Sequence, residues 1–163
     1  MWPLLPQINH VNIAVNSAEE KAKQLHRDLG VGPWNFLYLE SPPLVEMKIR
    51  GKLQNYRLRV AIAEMEGCTL ELMEPMDEVS IFYEFLKEKG EGMHHVGVIV
   101  PDIDAAIKEA EKRGMEVLCS AKWPNNSGGL AYLNTEKTFG MIVELLQRPI
   151  PEYRLKPYKR WPE

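Results

Sequence analysis

An internal repeat is the feature of this sequence that most constrains its fold. The segment NHVNIAVNSAEEKAKQLHRDLG, from Asn9, aligns with HHVGVIVPDIDAAIKEAEKRG, from His94, when one residue is dropped near the end of the predicted helix. LELMEP, from Leu70, likewise matches VELLQRP, from Val143. A repeated pattern predicts two copies of one supersecondary unit, each of which needs a neighbour to bury its open face.

Each copy has the pattern of a strand, a helix and further strands. Ser17 and Glu20 have the spacing of a capping box, and Asp102 occupies the same position before the second helix. Gly30 and Gly114 end the two helices. Strands are predicted at 8–15, 35–39, 44–50, 56–64 and 68–75 in the first copy, and at 94–100, 115–119, 130–134 and 140–147 in the second.

These elements predict an α+β fold of two tandem βαβββ modules, whose curved mixed sheets enclose a shared metal-binding cleft. The expected boundaries are 7–75 for the first module, 76–91 for a connecting helix, 92–149 for the second module and 150–163 for an extended tail. His10 precedes His95 by 85 positions and Glu71 precedes Glu144 by 73, so the first copy is 12 residues longer (85 − 73). The excess falls in its longer loop region.

The length of the chain and its net charge exclude several classes of protein. A chain of 163 residues favours one compact domain or two small units with a common core. A formal net charge of −3 argues against nucleic acid as a partner. The two cysteines, Cys68 and Cys119, have no CxxC partner and are expected to be free thiols. The sequence shows neither a signal peptide nor an apolar run of membrane-spanning length, so we expect a cytoplasmic protein with no membrane partner.

Strand alternation places the polar groups of the repeat on one side of each sheet. In the first strand Val, Ile and Val share one face, and His10 lies on the other. In the second copy three valines share a face opposite His95, whereas His94 lies with them. Glu71 and Glu144 lie opposite the leucines of their own strands. Because the apolar faces pack under helices, these two His and two Glu side chains are predicted to point into the cleft.

Two imidazoles and two carboxylates in repeat-related positions indicate a metal site. A carboxylate buried without a partner is costly, and a divalent cation would compensate for it. A set of two nitrogen and two oxygen ligands suits Co, Ni, Zn, Mn or Fe. The sequence therefore predicts one divalent ion per chain, held by His10, Glu71, His95 and Glu144. The alternative is a solvated cleft without metal.

The phrases INHVNIAV, GMHHVGVIVPDIDAAI and GMIVELLQ resemble the vicinal-oxygen-chelate superfamily over residues 7–149. This superfamily includes glyoxalase I, methylmalonyl-CoA epimerase, extradiol dioxygenases and bleomycin-resistance proteins, and the phrases look most like the epimerase branch. The resemblance implies paired βαβββ modules with one metal per cleft, and it carries the ligand positions onto the four residues named above. It also implies a homodimer that acts on a small-molecule substrate.

Three positions depart from those relatives. Epimerases often carry Gln where this chain has Glu71, and glyoxalase I of the bacterial type carries Glu there. The region just before the third strand of the first module has Gln54 and Asn55, and lacks the second carboxylate that epimerases use. Water, Glu46 or Tyr56 would have to replace that acid. Against glyoxalase I, the last loop lacks an Asp-Pro-Asp-Gly run.

The first functional hypothesis is a metal-dependent isomerase or epimerase that acts through an enolate on an acyl-thioester, with Glu144 as the catalytic proton shuttle. The alternative is a lactoylglutathione lyase of the glyoxalase I type, which the all-Glu carboxylate set favours. Dioxygenase chemistry uses two His and one carboxylate, so the fourth ligand counts against it.

The third hypothesis is a non-enzymatic binder of small molecules, in the manner of the resistance proteins, with an aromatic cleft and no metal. The predicted substrate contacts are Trp34, Tyr38, Trp123 and Tyr132. Resistance proteins typically lack the full ligand set, so the intact set favours an enzyme.

Overall fold

The computed structural model describes residues 3–163 of the chain. Within this range lie four α-helices: α1 Ala18–Leu29, α2 Ile81–Lys89, α3 Ile103–Lys112 and α4 Glu136–Phe139. The eleven strands of the described residues are β1 His10–Ala14, β2 Trp34–Leu39, β3 Val45–Ile49, β4 Lys52–Leu53, β5 Leu58–Met65, β6 Cys68–Pro75, β7 Gly92–Ile99, β8 Val117–Lys122, β9 Gly129–Leu133, β10 Ile142–Gln147 and β11 Lys159–Trp161. None of the described helices is long and apolar enough to cross a membrane.

The chain divides into two compact units, each assembled from separate segments of the sequence. The N-terminal unit consists of His10–Glu40, Tyr56–His94 and Leu155–Glu163. The C-terminal unit consists of the described residues up to Asn9, together with Ser41–Asn55 and His95–Arg154.

The strands of the N-terminal unit lie in the order β11-β2-β5-β6-β1. β1 pairs with β6 in parallel, and the other pairs are antiparallel. Helix α1 begins after Ser17, whose hydroxyl oxygen accepts the Glu20 N–H at 3.3 Å, and it ends at Gly30 in the left-handed conformation. Its alanines Ala18 and Ala22 pack on one face of the sheet in a buried core, with Val15, Trp34, Phe36, Ala61, Ala63 and Leu72.

The C-terminal unit repeats this plan in the order β7-β10-β9-β8-β3-β4. β7 and β10 are parallel, and β10 and β9 are antiparallel. Helix α3 begins after Asp102, whose carboxylate accepts the Ala105 N–H at 2.9 Å. Ala106 and Ala110 of α3 are buried, and the helix contacts β9 and β10.

Both units therefore contain the same module. In β1-α1-β2-β5-β6 and in β7-α3-β8-β9-β10, the first strand lies beside the last and runs parallel to it. The helix of each module packs on one face of its sheet and does not cover the opposite face. The predicted α+β fold with two βαβββ modules is confirmed.

The extra length of the first copy lies in the hairpin β3–β4. We predicted a strand at 44–50 within the first module, and this strand does form as β3. It pairs with β8 instead of a strand of its own module, and Ile49 lies level with Cys119. β2 pairs directly with β5, so removal of Ser41–Asn55 leaves the first module with the same strand order as the second. The segment Ser41–Asn55 thus belongs to the C-terminal unit, although it lies within the range 7–75 predicted for the first module.

The C-terminal tail forms an edge strand of the N-terminal unit. β11 pairs antiparallel with β2, and Trp161 lies level with Trp34. Lys159 Nζ donates to Glu19 Oε1 on α1 at 2.6 Å, and this hydrogen bond lowers the pKa of the Glu19 carboxyl. The Tyr158 ring stacks on the Tyr38 ring at 4.8 Å. The tail thus covers the outer edge of the sheet, which would otherwise expose unpaired backbone groups.

The loop between β8 and β9 contains a glycine position that excludes a side chain. Gly128 has φ +137°, and a Cβ atom there would lie 2.5 Å from the carbonyl oxygen of Gln147. The Gly128 carbonyl also accepts the Trp123 N–H at 2.9 Å. Gly128 is therefore required both by its backbone conformation and by the close approach of β10.

We predict that Gly128→Ala lowers the free energy of unfolding by about 2–6 kcal/mol, because backbone strain and a clash with backbone atoms add together. Gly67→Ala is the matched control, since Gly67 also has positive φ (+77°) but no atom lies within 4 Å of its Cβ position. That control should lose about 1–2 kcal/mol from strain alone. Urea denaturation of both variants measures the difference, and equal losses would contradict the close approach at Gly128.

Candidate metal centre

The N-terminal unit brings one histidine and one glutamate together on adjacent parallel strands. His10 begins β1, and Glu71 lies within β6, level with Asn12. Residues level with one another across a strand pair share a face, so His10, Asn12 and Glu71 point to the same side of the sheet. His10 is buried, and its Nε2 lies 3.9 Å from Glu71 Oε2.

The C-terminal unit brings together an equivalent pair. His95 lies in β7, and Glu144 lies in the parallel strand β10, level with Gly97. His95 Nε2 lies 3.1 Å from Glu144 Oε2, and both side chains are almost fully buried. In each unit the glutamate is level with the residue two positions after the histidine, so the two pairs follow one geometric rule.

The four side chains form a group that could hold a metal ion. One ligand atom from each of His10, Glu71, His95 and Glu144 lies within 4.8 Å of the others. Three of these residues are buried and Glu71 is half-buried. Carboxylates held this close in a buried site repel one another, and a divalent cation would neutralise them. The donor types and their burial therefore fit a divalent metal.

His94 lies on the other face of β7. Its ring stacks on Phe82 of α2 with centroids 4.2 Å apart and meets the edge of Phe85 at 5.1 Å. The side chain is fully buried beside these helix residues. Strand alternation predicted this separation of His94 from His95, and the structure agrees.

Trp34 and Tyr38 do not lie on the face of β2 that corresponds to Glu71. Asn35 lies level with Ile62, and Ile62 lies level with Glu71. Asn35 is therefore the β2 residue that lies on the same sheet face as Glu71 and at the same level. Trp34 is completely buried in the core under α1, and its indole N–H donates to the Val31 carbonyl at 3.0 Å.

Tyr38 lies farther along β2 on the same face as Trp34. Its ring lies between Tyr158 and the guanidinium of Arg57, which is 4.3 Å from the ring centroid. A hydrogen bond with Arg59 lowers the pKa of the Tyr38 phenol, and a second one with Tyr158 adds to this effect. Of the predicted substrate contacts on β2, Trp34 thus fills the core and Tyr38 packs with the tail.

Tyr132 is placed differently. It lies in β9 level with Glu144, and its ring meets the His95 ring edge-on at 5.1 Å. Trp123 follows β8 and is buried, and its indole N–H has no hydrogen-bond partner among residues 3–163. Of the four predicted aromatic contacts, Tyr132 is the one with a defined position beside a member of the metal-binding group.

The two candidates for a second acid lie in different surroundings. Glu46 is exposed and lines a groove with Asp104 and Glu111 of the α3 region. Tyr56 is buried just before β5. Strand alternation identified no role for Asn12, whose amide donates to Glu71 Oε2 at 3.3 Å. Its position two residues after His10 was the available signal.

Each unit of the duplicated βαβββ fold carries one His–Glu pair on its two parallel strands. The family model described as the Glyoxalase/Bleomycin resistance protein/Dioxygenase superfamily matches residues 9–132. The chain belongs to this superfamily, and the resemblance to vicinal-oxygen-chelate proteins is confirmed.

Individual relatives share moderate sequence identity with the chain. Mitochondrial methylmalonyl-CoA epimerase of Mus musculus is 29% identical over 149 residues, which cover 90% of this chain and 75% of the relative. The uncharacterized protein YqjC of Bacillus subtilis (strain 168) is 23% identical over 144 residues, which cover 86% of this chain and 91% of that protein.

Solved structures share the fold. A variant of Streptomyces coelicolor methylmalonyl-CoA epimerase, in complex with 2-nitronate-propionyl-CoA, superposes with a TM-score of 0.61 at 20% identity. The match covers 86% of this chain and 96% of that chain. At this identity the comparison establishes the fold and leaves the reaction open.

We predict that His95→Ala reduces bound divalent metal from about one ion per chain to a small fraction, because a nitrogen ligand is lost. His94→Ala is the control in the adjacent position, and it should retain metal although it loses packing against Phe82. Elemental mass spectrometry of the purified variants measures both. Metal loss in His94→Ala with retention in His95→Ala would contradict the placement of the two rings.

Proposed function

We propose that the chain is a metal-dependent epimerase that acts on an acyl-CoA thioester through an enolate. The observation that carries this proposal is the group of two imidazoles and two carboxylates with ligand atoms within 4.8 Å of one another. A bound divalent ion would supply Lewis-acid stabilisation of the negative charge that develops on substrate oxygens. The residues assigned to hold that ion are His10, Glu71, His95 and Glu144.

Glu144 is assigned the proton transfer. Its side chain is buried, and its Oε2 lies 3.1 Å from His95 Nε2, so it is held at the edge of the ligand group. In the proposal this carboxylate takes the proton from the carbon next to the thioester carbonyl of the substrate. Burial also excludes bulk water from the proton while it is transferred.

Epimerisation also requires that a proton return on the opposite face of the carbon. Gln54 and Asn55 carry no acid, and Glu46 is exposed beside the groove near α3. Among the substitutes suggested by the sequence, water and the buried phenol of Tyr56 therefore remain. The proposal assigns this return to one of these two groups.

The relatives support an acyl-CoA substrate. The Mus musculus relative is a methylmalonyl-CoA epimerase, and a structure with the same fold holds an acyl-CoA analogue.

A lyase of the glyoxalase I type is the second candidate, and a specific observation favours it. Glu71 is a carboxylate that lies near His10 and accepts a hydrogen bond from Asn12, so both acidic members of the ligand group are glutamates. This candidate predicts metal-dependent turnover of the hemithioacetal formed by methylglyoxal and a thiol. A binder without metal is the weakest of the three hypotheses, because it gives no reason for the buried His–Glu group.

We predict that the native protein loaded with a divalent metal incorporates deuterium from D₂O at the α-carbon of methylmalonyl-CoA. Glu144→Gln should slow this exchange by about 10²–10⁴-fold, because it removes the general base. Proton NMR of the substrate methyl and α-proton signals follows the exchange.

Glu66→Gln is the control for this assay, since Glu66 is exposed in a turn and should retain the native rate. No exchange with the metal-loaded native protein would reject the epimerase proposal. Turnover of the hemithioacetal in the same preparation would then favour the lyase.

A further inference from the structure

We propose that Asn12 is a positioning residue that holds Glu71 as a fixed metal ligand, so that the two glutamates of the site have different roles. Glu71 is the anchored ligand, and Glu144 is the carboxylate that moves a proton. This inference rests on the proposed metal site and extends it, because the proposed function names Glu71 as a ligand without naming the residue that holds its side chain in place.

The contact that carries the inference lies within the N-terminal unit. Asn12 is completely buried in β1, level with Glu71 in the parallel strand β6. Its Nδ2 donates to Glu71 Oε2 at 3.3 Å. The same oxygen lies 3.9 Å from His10 Nε2. The amide therefore restrains the carboxylate oxygen that faces the histidine of the ligand group.

The repeat shows that this contact is specific to one unit. The residue level with Glu144, two positions after His95, is Gly97. Glycine has no side chain, so it cannot supply to Glu144 the amide that Asn12 supplies to Glu71. Since the two modules share strand order and register, this substitution is a direct difference between the two carboxylate environments.

The oxygen atom of the Asn12 side-chain amide indicates that a further group occupies the site. Asn12 Oδ1 is buried and has no hydrogen-bond partner within residues 3–163. The amide cannot be turned over to remedy this, because an oxygen would then face the Glu71 carboxylate. A buried acceptor of this kind needs a donor. With a divalent ion held in the site, a water molecule there would be a suitable donor.

Metal ligands are commonly held by such outer contacts, which orient the ligand and raise affinity. A restrained Glu71 keeps its lone pairs directed at the ion during turnover. Gly97, the level neighbour of Glu144, has no side chain that could supply the same hydrogen bond. The Asn12 amide is therefore a contact to a carboxylate ligand that the N-terminal unit has and the equivalent position of the C-terminal unit cannot have.

The test is Co²⁺ binding by Asn12→Leu, which has the same branching and number of heavy atoms as Asn, in a somewhat larger volume, and removes the donor without adding a buried charge. Competition with a chromophoric chelator gives the affinity, and the visible spectrum of bound Co²⁺ reports its coordination. We expect affinity about 10–100-fold weaker and a changed Co²⁺ spectrum.

Asn134→Ala is the matched control. Asn134 Nδ2 donates to Glu116 Oε2 at 3.2 Å in an exposed contact, so this variant also loses an Asn–Glu hydrogen bond. It should bind Co²⁺ with native affinity and an unchanged spectrum. If Asn12→Leu does not fold, Asn12→Ser takes its place, because its side chain is too short to repeat the bond to Glu71.

A double-mutant cycle with Glu71→Gln shows whether Asn12 acts through Glu71. If it does, the Asn12 substitution weakens Co²⁺ binding in the native background and adds little in the Glu71→Gln background. Native affinity and an unchanged spectrum in Asn12→Leu would overturn the inference while the metal site stands. Failure of the native protein to bind Co²⁺ would overturn the proposed function, and the inference with it.

Discussion

Two carboxylates with ligand atoms in one buried group impose the main energetic constraint on this molecule. Charges removed from water lose hydration, and like charges placed together add repulsion. Glu144 and Glu71 therefore require compensation, which the neighbouring imidazoles of His10 and His95 supply only in part. The donor set fits a divalent cation, which would remove both penalties at once. On this account metal binding contributes to the stability of the site as well as to its chemistry.

The fold brings a histidine and a glutamate together by the same strand arrangement in both modules. In each module the first and last strands are parallel neighbours, and the glutamate is level with the second residue after the histidine. The opposite sheet faces are closed by α1 and α3, whose small buried alanines allow close packing. Strand alternation then separates the apolar face from the polar one without any loop contribution. The ligand group thus rests on strands, which hold side chains more rigidly than loops do.

Much of this arrangement could be predicted because it depends on local periodicity. Counting along β1 and β7 separated His95 from His94, and the repeat identified the glutamates that accompany the histidines. The sequence contains no comparable periodicity that would indicate which strands pair when they lie far apart along the chain. The strand β3 joins β8, and β11 joins β2, although neither partner is marked in the sequence. The sequence assigned no face to the strand of Trp34, and the register with β5 supplies that face.

The small differences between the repeats carry the functional content. Asn12 and Gly97 occupy equivalent positions, and the residue type alone did not indicate that one of them holds a carboxylate. The hairpin β3–β4 is likewise present in one copy and absent from the other. The repeat therefore accounts for the two His–Glu pairs, and its local exceptions distinguish the surroundings of the two carboxylates.

The X-ray absorption spectrum of the Zn²⁺-loaded protein tests the central claim most directly. The account predicts nitrogen and oxygen ligands at about 2.0–2.2 Å and outer-shell scattering from two imidazoles. One imidazole or none would contradict a site built from His10 and His95. A sulfur ligand at about 2.3 Å would contradict it as well, because it would place the ion at a cysteine instead.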